Sequence, residues 1–277
     1  MPRGKNAQLA VDLFHDLRLR NNWSSADAWK GIAILLLSCK IYKSKWVPFH
    51  DVVVFRESND FKILASGAPN ETIVKAKRLT EFLESLLEIP PGSCCKHIGR
   101  YWANKDIAKL QPNNLVGHAF RSIVVEILRT YGDAGIRLEE EVDPTTLFPG
   151  VTFHQRSEGA KIDVVAFKNN VPVALISCRW RFRHDRVDVT NESVAYRAAA
   201  MQSGYPNCQF YAVIGEFAPS RLVKVLESTA GVAKNPSIAG TVHFKPELIT
   251  DPKSLGENGR TTSLLGLDWL VQQTHQW

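Results

Sequence analysis

The chain has 277 residues, of which 44% are apolar, and carries 34 Lys and Arg against 28 Asp and Glu, a formal net charge of +6 with a sequence pI near 9.1. That length and apolar content can build one large α/β domain, or a core domain with a smaller companion, without staples, and the basic balance favours a polyanionic partner over an acidic protein. Five cysteines (Cys39, Cys94, Cys95, Cys178, Cys208) with no CxxC pair and no histidine at ligand spacing argue against a disulfide framework or a zinc centre, and fit a reducing cytoplasm. The longest apolar run, Ile32 to Leu37, is far short of the roughly 20 residues of a membrane span, and no signal segment is visible, so no membrane partner is expected.

Taken in chain order, residues 7–20 and 24–43 read as amphipathic helices, the second opened by Ser24-Ser25 with Asp27 in its first turn, where a negative charge suits the helix N-terminus. Asp51 to Phe55 reads as a short strand, and Glu71 to Leu87 as a helix ended by Ile89-Pro90-Pro91-Gly92. Residues 1–110 thus form a mainly helical accessory region, and 111–277 a second region with a different grammar. There, a helix over 115–131 precedes a polar stretch containing Glu139-Glu140-Glu141, read as a solvated charge run. The apolar runs 160–167 and 171–178 flank Lys168-Asn169-Asn170, whose asparagines tolerate positive φ, so a β-hairpin is predicted. A helix over 190–201 capped by Thr190 or Asn191, a buried strand over 209–214, a helix over 220–227, a strand over 241–244 and a C-terminal helix from about Thr262 follow. Helix, hairpin, helix, strand, helix is the order of a mixed sheet with helices on both faces, an α/β fold.

The chemistry gathers on the hairpin. By the two-residue period of strands, Lys161, Asp163 and Val165 share one face of the first strand, and Ser177, Arg179 and Arg181 one face of the second. If the two faces coincide, Asp163, Ser177 and Arg179 meet. A carboxylate facing a cation on the neighbouring strand suits Mg²⁺-dependent phosphodiester cleavage, the carboxylate holding the metal and the cation facing the phosphate. The plainer alternative is a cross-strand Asp–Arg pair, which the apolar flanks Ile162, Val164, Leu175 and Ile176 disfavour. Position 177 is a serine where a second acidic residue is wanted; Glu192, near the start of the following helix, is the candidate, its alternative role being a favourable charge at a helix N-terminus.

Directly after the strand comes Arg181-Phe182-Arg183-His184-Asp185-Arg186. Arginine donates a bidentate pair to guanine O6 and N7, and aspartate accepts from cytosine N4, so Arg183, Asp185 and Arg186 suit base reading while Arg181 and His184 suit phosphates. An acidic residue in a purely phosphate-gripping patch would weaken it, and Asp185 therefore favours base readout. Trp180, on the face opposite Arg179, reads as core.

Asp163, then Ser177-Cys178-Arg179, Arg183-His184-Asp185-Arg186 and Glu192, at these spacings, resemble the signature of the type II restriction endonucleases that recognise CCGG-containing sites, within the wider PD-(D/E)xK nucleases. The resemblance covers about residues 115–227. It departs from the family in two places: Arg179 stands where the family has lysine, and His184 where it has serine or proline before the recognition aspartate. Lys161 is the alternative source of an ammonium; Arg179 is preferred because it keeps the place in the second strand. The resemblance implies a restriction endonuclease-like core with a central mixed sheet flanked by helices, Mg²⁺ as cofactor held by Asp163 and Glu192, and no nucleotide cofactor. It also implies a supporting role for Glu126 on the preceding helix, whose alternative is a salt bridge to Arg129 or another helical neighbour. Its expected substrate is double-stranded DNA with a palindromic CCGG core, cut by a homodimer to leave 5′ overhangs. A non-cleaving DNA-binding relic and a structure-selective resolvase or repair nuclease are the other readings of these residues.

Overall fold

A computed structural model describes residues 5–31, 47–49, 52–54, 84–85, 87–91, 112–153, 161–180, 188–216, 219–231, 233–234, 236–246 and 264–277. The chain divides into two compact units, Met1–Glu126 and Ile127–Trp277. Among the described residues no helix is long and apolar enough to cross a membrane.

In the first unit, α1 (Lys5–Asn21) buries Val11, Phe14 and Leu17, the spacing that keeps one helix face inward. Ser24 and Asp27 then form a capping box on a 3-10 turn (Ser25–Asp27), the Ser24 amide and hydroxyl donating to Asp27 Oδ2 at 2.9 and 3.1 Å, and most of the helix expected over 24–43 lies outside the described residues. Gly31 is needed for close approach, since a Cβ there would lie 2.9 Å from the Phe14 ring. A short hairpin, β1 (Val47–Phe49) with β2 (Val52–Val54), covers the strand expected over 51–55. Most of the helix expected over 71–87 lies outside the described residues. Its end is marked by Glu88 at φ 57°, with the Ile89 amide donating back to the Glu84 carbonyl.

Helix α2 (Pro112–Tyr131) carries the boundary between the units within it. Beyond it the second unit is a six-stranded mixed sheet in the order β3 (Ile136–Val142), β4 (Ile162–Lys168), β5 (Val171–Arg179), β6 (Gln209–Ile214), β7 (Gly240–His243), β8 (Leu264–Leu265). The first three strands are antiparallel and the last four run parallel. A four-residue helix α3 (Pro144–Leu147), capped by Asp143, follows β3. Parallel neighbours need crossovers, supplied by α4 (Asp188–Gln202) between β5 and β6 and α5 (Pro219–Leu226) between β6 and β7. Two successive right-handed crossovers stepping the same way fall on the same sheet face. Accordingly Val189, Tyr196, Ala199 and Ala200 of α4 and Leu222, Val225 and Leu226 of α5 share one core with Val165, Leu175, Phe210, Ala212 and Ile214. Helix α6 (Leu267–Gln273) takes the opposite face, where its Trp269 lies against Tyr211 and fills the space a side chain at Gly240 would need. The mixed sheet with helices on both faces is the α/β architecture expected of a restriction endonuclease-like core.

The hairpin forms at the expected place. Asn169 (φ 51°) and Asn170 (φ 64°) make a two-residue turn with both central residues left-handed, the geometry whose twist matches paired strands. Three elements differ from expectation. Glu139 to Glu141 lie in the edge strand β3; Arg137 stacks on the Phe167 ring at 4.4 Å and pairs with Glu139, so the charges line the outer margin of the sheet. Helix α4 starts at Asp188 because Val189 belongs to its buried stripe, which puts Thr190 and Asn191 inside the helix instead of at its cap. The segment after Thr262 yields the short strand β8 before the helix begins at Leu267.

At the end of β7, His243 is fully buried and its Nδ1 accepts from the Lys245 amide at 3.1 Å. Burial pushes its pKa from 6.5 down to about 3, so the folded protein keeps it neutral while the unfolded chain takes up a proton below pH 6.5. Stability is therefore present above pH 6.5 and falls by a few kcal/mol as the pH drops toward 3. Urea titrations at stepped pH should show that decline in the wild type and a shallower one in His243→Gln; equal slopes would exclude His243 as the cause.

Candidate active site

The hairpin register decides whether the faces coincide. Near the turn Lys168 pairs with Val171 and Phe167 with Pro172, but beyond it Ala166 pairs with Ala174, Val165 with Leu175 and Val164 with Ile176. Val173 is the extra residue of a β-bulge. Proline has no amide to give a central strand and is found there at bulges, which accounts for the irregularity beside Pro172. The consequence is large, because a one-residue shift turns a strand over. Carried one step on, the shifted register sets Asp163 across from Ser177; without the bulge Asp163 would face Ile176 and lie on the other side from Ser177 and Arg179.

The contacts follow from that register. Asp163 Oδ2 accepts from the Cys178 amide at 2.9 Å and from Ser177 Oγ at 3.4 Å, and lies 3.7 Å from an Arg179 guanidinium nitrogen. Ser177 and Arg179 share the face of Leu175, which α4 covers, so α4 delivers Glu192 to the same spot. Glu192 Oε1 accepts from Arg179 at 2.6 Å, and Glu192 Oε2 lies 3.3 Å from Ser177 Oγ. Ser177 is buried, whereas the side chains of Asp163 and Glu192 keep 18% and 15% of their exposure and that of Arg179 33%, so the cluster opens to solvent on the arginine side. Burial opposes the charge of Arg179, but the two carboxylates outweigh it and hold its pKa above the usual value.

Asp163, Ser177, Arg179 and Glu192 are thus brought together, with Glu192 in the second turn of α4. Lys161 is exposed. Glu126 is buried in the first unit with Oε2 2.9 Å from His15 Nε2, while Arg129, its expected salt-bridge partner, donates to the Leu138 carbonyl at 3.1 Å. Trp180 stacks on Phe244 on the face opposite Arg179, close against Gly215, where a Cβ would come within 2.6 Å of its ring. Arg181, Arg183, His184, Asp185 and Arg186 lie outside the described residues. They belong to the segment joining the end of β5 to the start of α4.

Sequence reading passed over Glu216. It is 3% exposed and lies two residues past Ile214 at the end of β6, next to Gly215, whose amide donates to the Arg179 carbonyl at 2.9 Å. A polar residue directly after an apolar parallel strand, as in Tyr211-Ala-Val-Ile-Gly-Glu216, marks the strand end where α/β sheets place functional groups.

Among the described residues no cluster of three or more His, Cys, Asp and Glu is placed to hold a metal. The two carboxylates offer hard oxygen donors, and Asp163 directs its contacts with described residues through Oδ2, leaving Oδ1 free of them. Mg²⁺ is commonly held by one or two carboxylates with waters and phosphate oxygens, so the pair fits that ion, whereas a Zn²⁺ centre needs three or four nitrogen, sulfur or oxygen ligands.

No protein-family model matches the chain, and no curated protein matches it. Among solved structures it is similar to one described as "Restriction endonuclease PspGI-substrate DNA complex", at 14% identity and a TM-score of 0.41 over 100% of this chain and 93% of that one.

Proposed function

We propose that the protein is a Mg²⁺-dependent type II restriction endonuclease that cuts double-stranded DNA at a palindromic site with a CCGG core. One observation carries the reading: a bulge-shifted hairpin and a crossover helix bring two carboxylates, a buried hydroxyl and a guanidinium to the open end of a buried sheet. Charges at such a place require a partner or a task, and among the described residues the cluster holds two acids and one cation.

In this reading Asp163 and Glu192 hold the metal, and Ser177 fixes them relative to each other through its hydroxyl. Held there, Mg²⁺ would supply charge neutralisation at the phosphate and lower the pKa of a bound water. The Arg179 fork donates to the scissile phosphate's oxygens; being permanently protonated, it serves as a clamp and not as a base. Arg183, Asp185 and Arg186 are the base readers, each good bidentate pair contributing about 1–3 kcal/mol of discrimination. A palindrome read by one copy per half-site makes the working form a homodimer.

The test uses two plasmids, with and without CCGG sites, each incubated in Mg²⁺ and in Ca²⁺. Discrete fragments from the first plasmid alone, in Mg²⁺ alone, are expected. Specific binding with no cutting in either metal indicates a DNA-binding relic, and cutting confined to branched DNA a resolvase; either result overturns the proposal.

A further inference from the structure

Arg179 spans the two carboxylates that the proposed metal would use, one guanidinium nitrogen 2.6 Å from Glu192 Oε1 and another 3.7 Å from Asp163 Oδ2. We infer that Arg179 is a built-in competitor for the metal, holding the carboxylate pair in the metal-free protein and turning to the phosphate only when a divalent cation displaces it. The inference rests on the metal-nuclease reading above and deepens it.

Charge counting gives the reason. Among the described residues, Arg179 is the cation set between the two carboxylates, and it relieves the repulsion between acids that Ser177 Oγ approaches at 3.4 and 3.3 Å. With a divalent cation, the carboxylates are neutralised in full, and a guanidinium left among them would add +1 against a +2 ion. The fork is at the solvent side of the cluster, so its release toward an incoming phosphate needs no repacking of the core. A lysine ammonium presents its three donors from a single nitrogen, whereas the planar fork sets separate nitrogens toward the two acids. The arginine thus makes metal loading and phosphate grip mutually dependent: metal entry frees the clamp, and phosphate, by taking the clamp, favours metal entry.

Calorimetric titration of Ca²⁺ and of Mn²⁺, with no DNA present, tests this on the full chain. Arg179→Gln is expected to bind either ion about tenfold more tightly than the wild type, or more, because a like charge a few ångströms away is removed. Asp163→Asn is expected to lose binding. Equal or weaker binding by Arg179→Gln overturns the inference while wild-type binding that Asp163→Asn abolishes keeps the nuclease reading; no binding by any form overturns both. The wild type offers a second measurement that depends on no variant. The NMR signals of the Arg179 guanidinium should move from an ion-paired toward a free position on saturation with Ca²⁺, and signals unmoved at saturation overturn the inference.

Discussion

Asp163→Asn should lower the rate of Mg²⁺-dependent cleavage by about a thousandfold or more, with the fold intact and DNA binding retained. The size follows from the chemistry assigned to the residue: metal stabilisation of charge at a phosphoryl centre amounts to several kcal/mol, and each 1.36 kcal/mol is a factor of ten in rate. The fold should survive because the amide oxygen of asparagine can still accept from the Cys178 N–H, the shortest of the contacts to this side chain. What is lost is the charge on the acceptor, at about 1 kcal/mol of stability. Single-turnover cleavage, thermal melting and filter binding in Ca²⁺ separate these three quantities. Cleavage within tenfold of the wild type would remove Asp163 from the proposed metal site.

Arg179→Ala carries the second large effect. Removing one preorganised group that stabilises developing charge typically lowers kcat by about 10²–10³-fold, and that loss is expected here while specific DNA binding survives. The variant also leaves Asp163 and Glu192 without the cation between them. Because a third of the arginine side chain is exposed, the stability lost is nearer the surface ion-pair range, about 1 kcal/mol, than that of a sealed pair. Arg179→Lys keeps the charge at the same strand position and should retain cleavage within about tenfold, a loss ascribed to the missing fork. Full cleavage by the alanine variant, or a loss seen only in Lys161→Ala, would move the role to another cation.

Much of this candidate site is legible in the sequence. Asn169-Asn170 announced the hairpin because few residue pairs accept two left-handed conformations in succession, and the period of two then put Asp163, Ser177 and Arg179 in line. The convergence of the two faces was not assured by that period, since it depends on an extra residue in β5. Pro172 inside an otherwise central strand was the available signal for it. Glu192 was legible as a residue but not as a position: the helix start was read from capping types at Thr190 and Asn191, whereas burial of Val189 draws it back to Asp188. Strand β3 was hidden by its own exposure, for an edge strand with charges outward has the composition of a loop. Strand β8 spans only Leu264–Leu265 and has no periodicity to detect. Glu216 and His243 were missed because nothing in their spacing shows that parallel strands align their ends; only the register places Ile214 beside both Arg179 and His243.

The extra residue at Val173 also gives the hairpin a one-sided tolerance to changes in chain length. With the turn at Asn169-Asn170 and the pairing beyond Ala166 both kept, β5 holds one residue more than its partner requires. Loss of a single residue between Pro172 and Ala174 keeps the count that sets Asp163 across from Ser177, at the cost of placing Pro172 in a regular stretch of the strand. A single addition has no such slack to draw on: it must enlarge the distortion or turn the aspartate away from the serine. The strand that carries the cation thus holds its aim against shortening and loses it on lengthening.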